Sequence, residues 1–479
     1  MFQTKIIIFI LTLLWLIIFP VAHLASVRLY FSKCGTNGFT CITNAVTKKW
    51  DITYQCPNGV NDITLYINQF TAPQTLQDFK IQNCQSVTIL TRCSNENKPI
   101  KTLQIANVAH LSIQRAPYEP WLPPTVIFEN ISYIDEIPAK TFGQIDKSIY
   151  TTGCFVHPIE FQNVLFKNVT IGAIKSEAFV AHHNFHNFTF LNVTVGTIQT
   201  SAINIRHDLS GQFEIMHSNI KEIEPLGIRI YGKKAVFAMN DLKEVASSGI
   251  NATTEHFYFT GNTVGTLQAQ AFAVLSTNIY ILDNNFQSVK CGAFEKLSPG
   301  LLQDSGRNFG KLNFIYDFSK NTLHDLEIGS LHPDYASYEN VRTEMMFGKN
   351  KIMCSCENLG WLFLPAVMDQ LIGGPFYEMV MDDSYGNMCA NMHNSSCKFH
   401  ISVVNKLIQC GKCLSNITLK EECEKVPTIH YTTEGANLNV LSNSSVAPSN
   451  YITSFSFSHN KSSILIRLLF LNIVLLLDY

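Results

Sequence analysis

A phrase of alternating apolar residues followed by asparagine recurs through the middle of this sequence and restricts the fold more than any other feature. In the two clearest copies, 257–272 and 279–294, two apolar residues stand two positions apart and an asparagine follows three positions later. The marker position of successive copies falls at 169, 193, 218, 240, 262, 284, 321 and 350. A recurring step of about 20–50 residues is the signature of a stacked repeat protein. The sequence therefore predicts a solenoid.

The asparagine of the phrase is predicted to be structural. Apolar residues two apart share one face of a strand, and an asparagine after the strand can bend the chain and bond nearby peptide groups. Stacked at a fixed step, such side chains would form a ladder that satisfies turn amides otherwise buried without partners. The predicted ladder residues are Asn240, Asn262, Asn284, Asn321 and Asn350.

Two mainly-β solenoids fit this phrase. One is a right-handed parallel β-helix with coils of roughly 22 residues, and the other is a leucine-rich-repeat horseshoe. The return segments favour the β-helix, because pairs such as Ile203/Ile205 and Phe272/Val274 alternate with period two, as a second strand would. The leucine-rich-repeat horseshoe stays open as the alternative.

The composition and the N-terminus indicate a secretory route. Fourteen cysteines and many Asn-x-Ser/Thr sites are typical of proteins that fold in an oxidising compartment. Residues 1–25 contain Lys5, an unbroken apolar run at 6–19 and small residues near Ala25, which together predict a signal peptide. The alternative is a signal anchor that remains in the membrane.

The rest of the chain divides by composition. Residues 26–100 are predicted to form a cysteine-bearing N-terminal cap and the first coils, 101–350 the repeats, and 351–425 a cysteine-rich C-terminal cap. Insertions at about 143–160, 297–312 and 332–342 are expected to leave as loops from one edge. Residues 426–462 are a polar stalk, and 463–479 are an apolar tail typical of a glycosylphosphatidylinositol (GPI) attachment signal. A single membrane span is the alternative for this tail.

The C-terminal cap carries a family resemblance. From Asn350 the chain reads Asn-Lys-Ile-Met-Cys-Ser-Cys and continues to Trp361-Leu362. This run is similar to the cysteine-rich C-terminal cap of extracellular leucine-rich-repeat proteins, with one extra residue before Trp361 and more cysteines than that cap needs. The cysteines predicted to form cap disulfides are Cys34, Cys41, Cys56, Cys84, Cys93, Cys354, Cys356, Cys389, Cys397, Cys410, Cys413 and Cys423.

Catalytic and metal-binding patterns are weak in this sequence, so neither a cofactor nor a metal is expected. Cys410 and Cys413 have redox spacing, but they stand among other cap cysteines. His182, His183 and His186 lie where one coil turns into the next, without a neighbouring acid or cysteine. Asp283 would belong to a polysaccharide-cleaving site only if charged residues filled its column, and its equivalents are Gly261, Met239 and His217.

The nine sequons suggest a shielded region and a bare region. Asn130, Asn168 and Asn192 share a phase, because each follows a strand Phe by two residues, so their glycans are expected to stack along one corner of the early coils. Only Asn251 falls within 213–350. The full set of predicted glycosylation sites is Asn130, Asn168, Asn187, Asn192, Asn251, Asn394, Asn416, Asn443 and Asn460.

These features predict a recognition or adhesion protein rather than an enzyme. A formal net charge of −2 gives no electrostatic reason to expect nucleic acid. The expected partner is an extracellular protein or glycan, with a lipid anchor holding the chain at the outer face of the plasma membrane. The alternatives are a carbohydrate-active lyase or hydrolase and a purely structural coat protein. The predicted partner face consists of Glu214, Val236, Tyr258, Tyr280 and Asp317.

Overall fold

A computed structural model describes residues 27–29, 35, 37–43, 50–57, 62–66, 76–91, 100–115, 123–143, 162–300, 313–327, 329–331, 343–353, 379–380, 382–390 and 398–401. The chain divides into two compact units, Met1–Val426 and Pro427–Tyr479, and every described residue lies in the first. The predicted signal peptide, polar stalk and apolar tail lie outside the described residues.

The described chain is a parallel β-solenoid, as the repeat predicted, with an average coil of roughly 24 residues. Its early strands are β1 (Val27–Leu29), β2 (Phe39–Thr43), β3 (Trp50–Gln55), β4 (Asp62–Tyr66), β5 (Leu76–Thr91), β6 (Thr102–Arg115), β7 (Thr125–Ile137) and β8 (Phe142–Gly143). The middle strands are β9 (Gln162–Ile174), β10 (Phe179–Ile198), β11 (Ile203–Met216), β12 (Asn219–Ile223), β13 (Ile228–Ala238), β14 (Asp241–Val245), β15 (Ile250–Thr260), β16 (Thr263–Leu267), β17 (Phe272–Leu282) and β18 (Asn285–Val289). The last strands are β19 (Lys296–Pro299), β20 (Phe314–Ser319), β21 (Thr322–Leu326), β22 (Thr343–Gly348), β23 (Lys351–Met353), β24 (Met388–Ala390) and β25 (Lys398–His400).

Each regular coil has three sides. In the coil that begins at Ile228, the first side is 228–231, the second side is 234–238 and the third side is 241–245. The first side pairs in parallel through Ile228↔Ile250↔Phe272, the second through Phe237↔Phe259↔Ile281 and the third through Leu242↔Val264↔Phe286. A leucine-rich repeat contributes one strand and returns through helix or 3-10 segments. Parallel pairing on all three sides therefore favours the β-helix of the two alternatives.

Stacked aromatic and aliphatic side chains fill the interior. One inward column of the second side runs without interruption from the N-terminal coils to the last ones: Tyr54, Ile81, Ile105, Phe128, Phe166, Phe190, Ile215, Phe237, Phe259, Ile281, Phe318 and Phe347. Every member of this column is buried. Because each side chain covers only its neighbours along the axis, the core forms by stacking of coils rather than within a coil.

Antiparallel strands meet both ends of the described solenoid. Strand β2 pairs antiparallel with β3 near the N-terminus, and β25 pairs antiparallel with β24 near the C-terminus. A bare edge strand would offer unpaired peptide groups to another chain. The antiparallel strand at each end forms hydrogen bonds with some of these peptide groups.

The inserted segments leave from one corner. Strand β8 ends at Gly143 before β9 begins at Gln162, and Gly300 and Leu331 are the last described residues before two later gaps. Each of these points separates a first side from the second side that follows it. The insertions predicted from the sequence therefore begin and end at the corner that borders the second side, and residues 144–161, 301–312 and 332–342 themselves lie outside the described set.

Candidate functional site

A buried column of asparagines lies at the corner between the second and third sides. We call it the inner asparagine column, and it consists of Asn240, Asn262, Asn284, Asn321, Asn350 and Asn387. Asn262 Oδ1 accepts both the backbone N–H (2.9 Å) and the Nδ2–H (3.0 Å) of Asn240, and Asn262 Nδ2 donates to the carbonyl of Phe237 at 2.9 Å. The same pattern repeats along the column. Every rung thus satisfies a turn amide and a strand carbonyl of its neighbours.

Asn387 is a rung that the repeat phrase did not predict. Its Oδ1 accepts from the backbone N–H of Asn350 at 3.0 Å, and its Nδ2 donates to the carbonyls of Phe347 and Met379. Strand β24, directly after it, pairs with β23. The column therefore continues one rung beyond Asn350, into the segment assigned to the C-terminal cap.

A second, exposed asparagine column occupies the early coils, one residue earlier in the turn. This outer asparagine column consists of Asn83, Asn107, Asn130, Asn168 and Asn192, all with positive φ. Asn tolerates this left-handed conformation better than most residues. Each Nδ2 donates to the Oδ1 of the preceding member, at 2.8–3.1 Å. Three predicted glycosylation sites are therefore consecutive rungs of a hydrogen-bonded column.

The predicted partner face is a single outward column on the second side. Cα pairing joins Glu214↔Val236↔Tyr258↔Tyr280↔Asp317, and the next rung is Met346. We call these six residues the tyrosine face. The rings of Tyr258 and Tyr280 are parallel, with 4.9 Å between centroids and 6° between planes. The stack leaves ring edges, rather than the shared ring faces, open to a partner.

Charged neighbours make the two ends of the tyrosine face different. Towards the N-terminus, Lys234 Nζ lies 3.8 Å from Glu214 Oε1 and 5.8 Å from the centroid of the Tyr258 ring. Towards the C-terminus stand Asp317, which accepts from the Ser319 hydroxyl, and exposed Glu344. Neither carboxylate has a cationic partner among the described residues. Among the described residues, that end therefore carries two carboxylates without a paired cation.

The electrostatics around Tyr280 agree with this asymmetry. Partial burial raises the pKa of the Tyr280 hydroxyl, and Tyr258, Asp317 and Glu344 raise it further. The phenol therefore stays protonated and available as a hydrogen-bond donor at neutral pH. Met346, 36% exposed on the rung after Asp317, adds an apolar surface.

Several residues beside this face were not predicted from the sequence. Lys234, His256 and Asn278 stand in the outward column next to the inserted corner, and Ile315 and Glu344 continue it. Asn278 Nδ2 and His256 Nδ1 are 2.8 Å apart. The recurrence of these polar residues at the step of the coil is the signal by which the sequence could have predicted them.

The other candidate sites do not converge. Asp283 lies in the left-handed turn column with His217, Met239, Gly261 and Lys320, so no second carboxylate faces it there. His186 is half-buried in β10, and the side chains of His182 and His183 lie outside the described set. Within the part of the chain that the structure describes, no three His, Cys, Asp or Glu side chains are grouped as a metal would require.

Of the predicted cap cysteines, Cys56 and Cys84 form a disulfide that ties the end of β3 to β5. Cys41 and Cys389 are also disulfide-bonded. Cys34, Cys93, Cys354, Cys356, Cys397, Cys410, Cys413 and Cys423 lie outside the described residues, as do the sequons Asn394, Asn416, Asn443 and Asn460.

The sequon Asn251 lies on a first side of the solenoid. The sequon Asn187, in β10, lies on a second side, where its Nδ2 donates to Asn163.

Among the described residues, no helix has the length and apolar character that a membrane span requires. Comparisons with family profiles, with curated proteins and with solved structures find no match for this chain.

Proposed function

We propose that this chain is a non-enzymatic recognition or adhesion protein of the extracellular cell surface, which binds its partner through the tyrosine face. The observation that carries the proposal is the stacked Tyr258–Tyr280 pair, which continues into Asp317 and Met346 on one outward column. Tyrosine is enriched in binding hot spots because it offers a large rigid surface and a polar tip. The secretory route and the lipid anchor belong to the same proposal and rest on the sequence of residues 1–25 and 463–479.

The geometry of the face favours a protein partner that presents lysine or arginine. The two tyrosine rings cover each other, so a sugar ring has no free aromatic face between them on which to pack. The carboxylates of Asp317 and Glu344 lack cationic partners among the described residues, and charge complementarity promotes association. A basic side chain of a partner could pair with these carboxylates while its aliphatic stem packs on Met346 and the Tyr280 edge.

The carbohydrate-active alternative requires two carboxyl groups on either side of one bond. The column through Asp283 supplies only that one carboxylate between His217 and Lys320. This arrangement gives the enzyme hypothesis less support than the recognition hypothesis. Release of reducing or unsaturated sugar ends by the purified protein would reverse that order.

A new glycan on the tyrosine face tests the proposal. The variant Tyr258→Asn creates a sequon, because Thr260 already stands two positions later. The control Ser86→Asn creates one on the third side of an early coil, where Thr88 completes it. Both are expressed without residues 463–479, checked for glycosylation, and titrated onto cells that bind the parent protein saturably. We expect Tyr258→Asn to lose binding and Ser86→Asn to keep it, and the opposite pattern would refute the face.

Charge variants identify the partner class. Asp317→Asn combined with Glu344→Gln is expected to weaken binding and reduce its dependence on salt, since screening weakens exposed charge pairs. The matched pair Glu222→Gln and Glu244→Gln lies on the third side and should change neither quantity. Loss of binding after protease treatment of the target cells supports a protein partner, whereas loss after glycosidase treatment alone would indicate a glycan.

A further inference from the structure

The outward surface of the second side carries opposite charges at its two ends. The column beside the tyrosine face, which we call the flanking column, consists of Lys234, His256, Asn278, Ile315 and Glu344. Its first residue is a cation on β13 and its last is an exposed carboxylate on β22, with β15, β17 and β20 between them. Strands in a ladder are about 4.8 Å apart, so these two charges lie roughly 20 Å apart along the solenoid axis.

Such a surface is complementary to a second copy of itself. A two-fold axis that lies along β17, in the plane of the face, turns the second copy over so that the two solenoid axes run in opposite directions. Each column then faces the same column of the second copy in reverse order. Lys234 meets Glu344 of the second copy, and Glu344 meets its Lys234, because a two-fold interface repeats every contact.

The tyrosine face is matched in the same arrangement. Val236 faces Met346 of the second copy, which joins two apolar side chains. The Tyr258 hydroxyl faces the carboxylate of Asp317, which can accept its hydrogen. Tyr280 stands on β17 and faces its own counterpart across the axis. Apolar, polar and charged contacts therefore all find a suitable partner in one register.

Neighbouring registers fit less well. If the axis moves to lie between β15 and β17, Lys234 faces Ile315 and Val236 faces Asp317, so both charges meet apolar side chains. If it moves to lie between β17 and β20, Lys234 passes beyond β22 and loses Glu344. The register centred on β17 is the one of these three that pairs the charges at both ends.

We propose that the partner of the tyrosine face is a second copy of this chain, bound antiparallel about a two-fold axis along β17. The inference rests on the proposed recognition function and names its partner, since Lys234 is the basic side chain that the carboxylate end calls for. The only sequon within 213–350, Asn251, lies on a first side, so no sequence-encoded sugar stands on this face. Five strands make a small contact, at the low end of specific interfaces. One pair of molecules therefore associates weakly, and many copies on a surface reinforce one another.

The test exchanges the charges at the two ends. The full-length chain, with an affinity tag after Ala25, is purified in mild detergent from a secreting eukaryotic host and captured at equal density on red or green beads. In Lys234→Glu and in Glu344→Lys, both symmetry-related contacts bring like charges together. Beads that carry either variant alone should form roughly fivefold fewer aggregates than parent beads. Red Lys234→Glu beads mixed with green Glu344→Lys beads regain opposite charges at both ends, and they should aggregate as the parent does.

Two controls accompany the exchange. Lys221→Glu reverses an exposed charge on the third side and should leave aggregation unchanged. Tyr258→Asn, which places a glycan within the contact, should abolish it, and melting temperatures check that each variant is folded.

Three results would overturn self-recognition: parent beads that stay dispersed, single variants that aggregate like the parent, or a mixture that does not recover. The cell-binding titration separates this failure from that of the proposed function. If Tyr258→Asn still abolishes saturable binding to cells, the tyrosine face stands and its partner is a different protein. If Tyr258→Asn leaves cell binding intact, the proposed function itself fails.

Discussion

At the scale of the residue, the amide of Asn262 connects three coils. It receives two hydrogen bonds from Asn240 and gives one each to Phe237 and Asn284, all in a side chain that is 1% exposed. A buried polar group that loses its partner costs about 1–3 kcal/mol. Losing one rung therefore lowers the free energy of unfolding by more than losing a single surface hydrogen bond does.

Asn262→Ala is predicted to lower the free energy of unfolding by roughly 2–4 kcal/mol, because it leaves several buried groups unpaired. The matched control is Asn107→Gly in the exposed outer column, where water can replace the lost bonds and glycine tolerates the positive φ of 55°, and its effect should be below about 1 kcal/mol. Chemical denaturation measures both values. Equal losses in the two variants would contradict a special role for the buried column.

Acid is predicted to destabilise the coil that contains His324. Its Nε2 lies 2.8 Å from Asn285 Oδ1, and burial, with a further contribution from Lys351, lowers the pKa of the imidazole. The folded state thus favours the neutral ring, so stability is fully present above the unfolded pKa of about 6.5 and falls as the pH drops below it. Melting temperatures from pH 7.5 to 5.5 should fall more steeply in the parent protein than in His324→Gln. Parallel curves would exclude this residue as a cause.

The sequence predicts the inner asparagine column well where coils are regular. Asn240, Asn262 and Asn284 stand at the same phase because no residue is inserted between them. Asn387 follows Asn350 by 37 residues, and only three residues of strand follow it, so no apolar phrase marks it. The sequence also predicts that Asn130, Asn168 and Asn192 of the outer column share a phase, one residue before the marker position. It does not predict the hydrogen bonds between these side chains or that Asn83 and Asn107 belong to the same column.

At the scale of the element, the third side follows a spacing of three rather than two. Its buried pairs are Ile220/Ile223, Leu242/Val245, Val264/Leu267, Phe286/Val289 and Leu323/Leu326. Period-two counting detects the first and second sides but not a strand of this kind. Cα pairing omits the residue after the first buried position in both strands, as at Gly172 and Gly196. For this reason the number of sides per coil could not be predicted from the sequence alone.

Gly196→Ala is predicted to destabilise the third side by about 1–3 kcal/mol, the usual range for overpacking. A Cβ at this position would lie 2.2 Å from the backbone carbonyl oxygen of Gly172, which cannot move without disturbing its own strand. Thr197→Ala, at a half-buried position of the same strand that belongs to no sequon, should change the melting temperature much less. A Gly196→Ala protein as stable as its parent would show that the backbones at Gly172 and Gly196 can separate freely.

The tyrosine face also shows which features of a strand can be predicted from the sequence and which cannot. Alternation along β15 and β17 predicts that Tyr258 and Tyr280 point outward, and the common step predicts that they share a column. The position of Glu344 could not be predicted in this way, because insertions precede β20 and β22 and change the step. Only the pairing Ile315↔Glu344 places that carboxylate beside the tyrosines.

At the scale of the whole molecule, stability depends on contacts between neighbouring coils. Aromatic side chains connect neighbouring coils directly: the centroid of the Phe259 ring lies 6.0 Å from that of Phe237, 5.0 Å from that of Phe272 and 6.2 Å from that of Phe286. In a solenoid the total stability is approximately a sum of repeat and nearest-neighbour terms. Damage to one coil is therefore transmitted first to the coils on either side.

Phe259→Ala is predicted to cost about 3–5 kcal/mol, the range for truncating a buried Phe, and to weaken the molecule locally. Amide hydrogen exchange should accelerate in β13, β15 and β17, whose strands stack directly on this residue, while β5 and β6, many coils away, keep their protection. Tyr258→Ala, the outward neighbour on the same strand, serves as the control and should leave exchange in the core nearly unchanged. Uniform loss of protection from β5 to β22 would show instead that the solenoid unfolds as one cooperative unit, in which case the nearest-neighbour description does not apply to this chain.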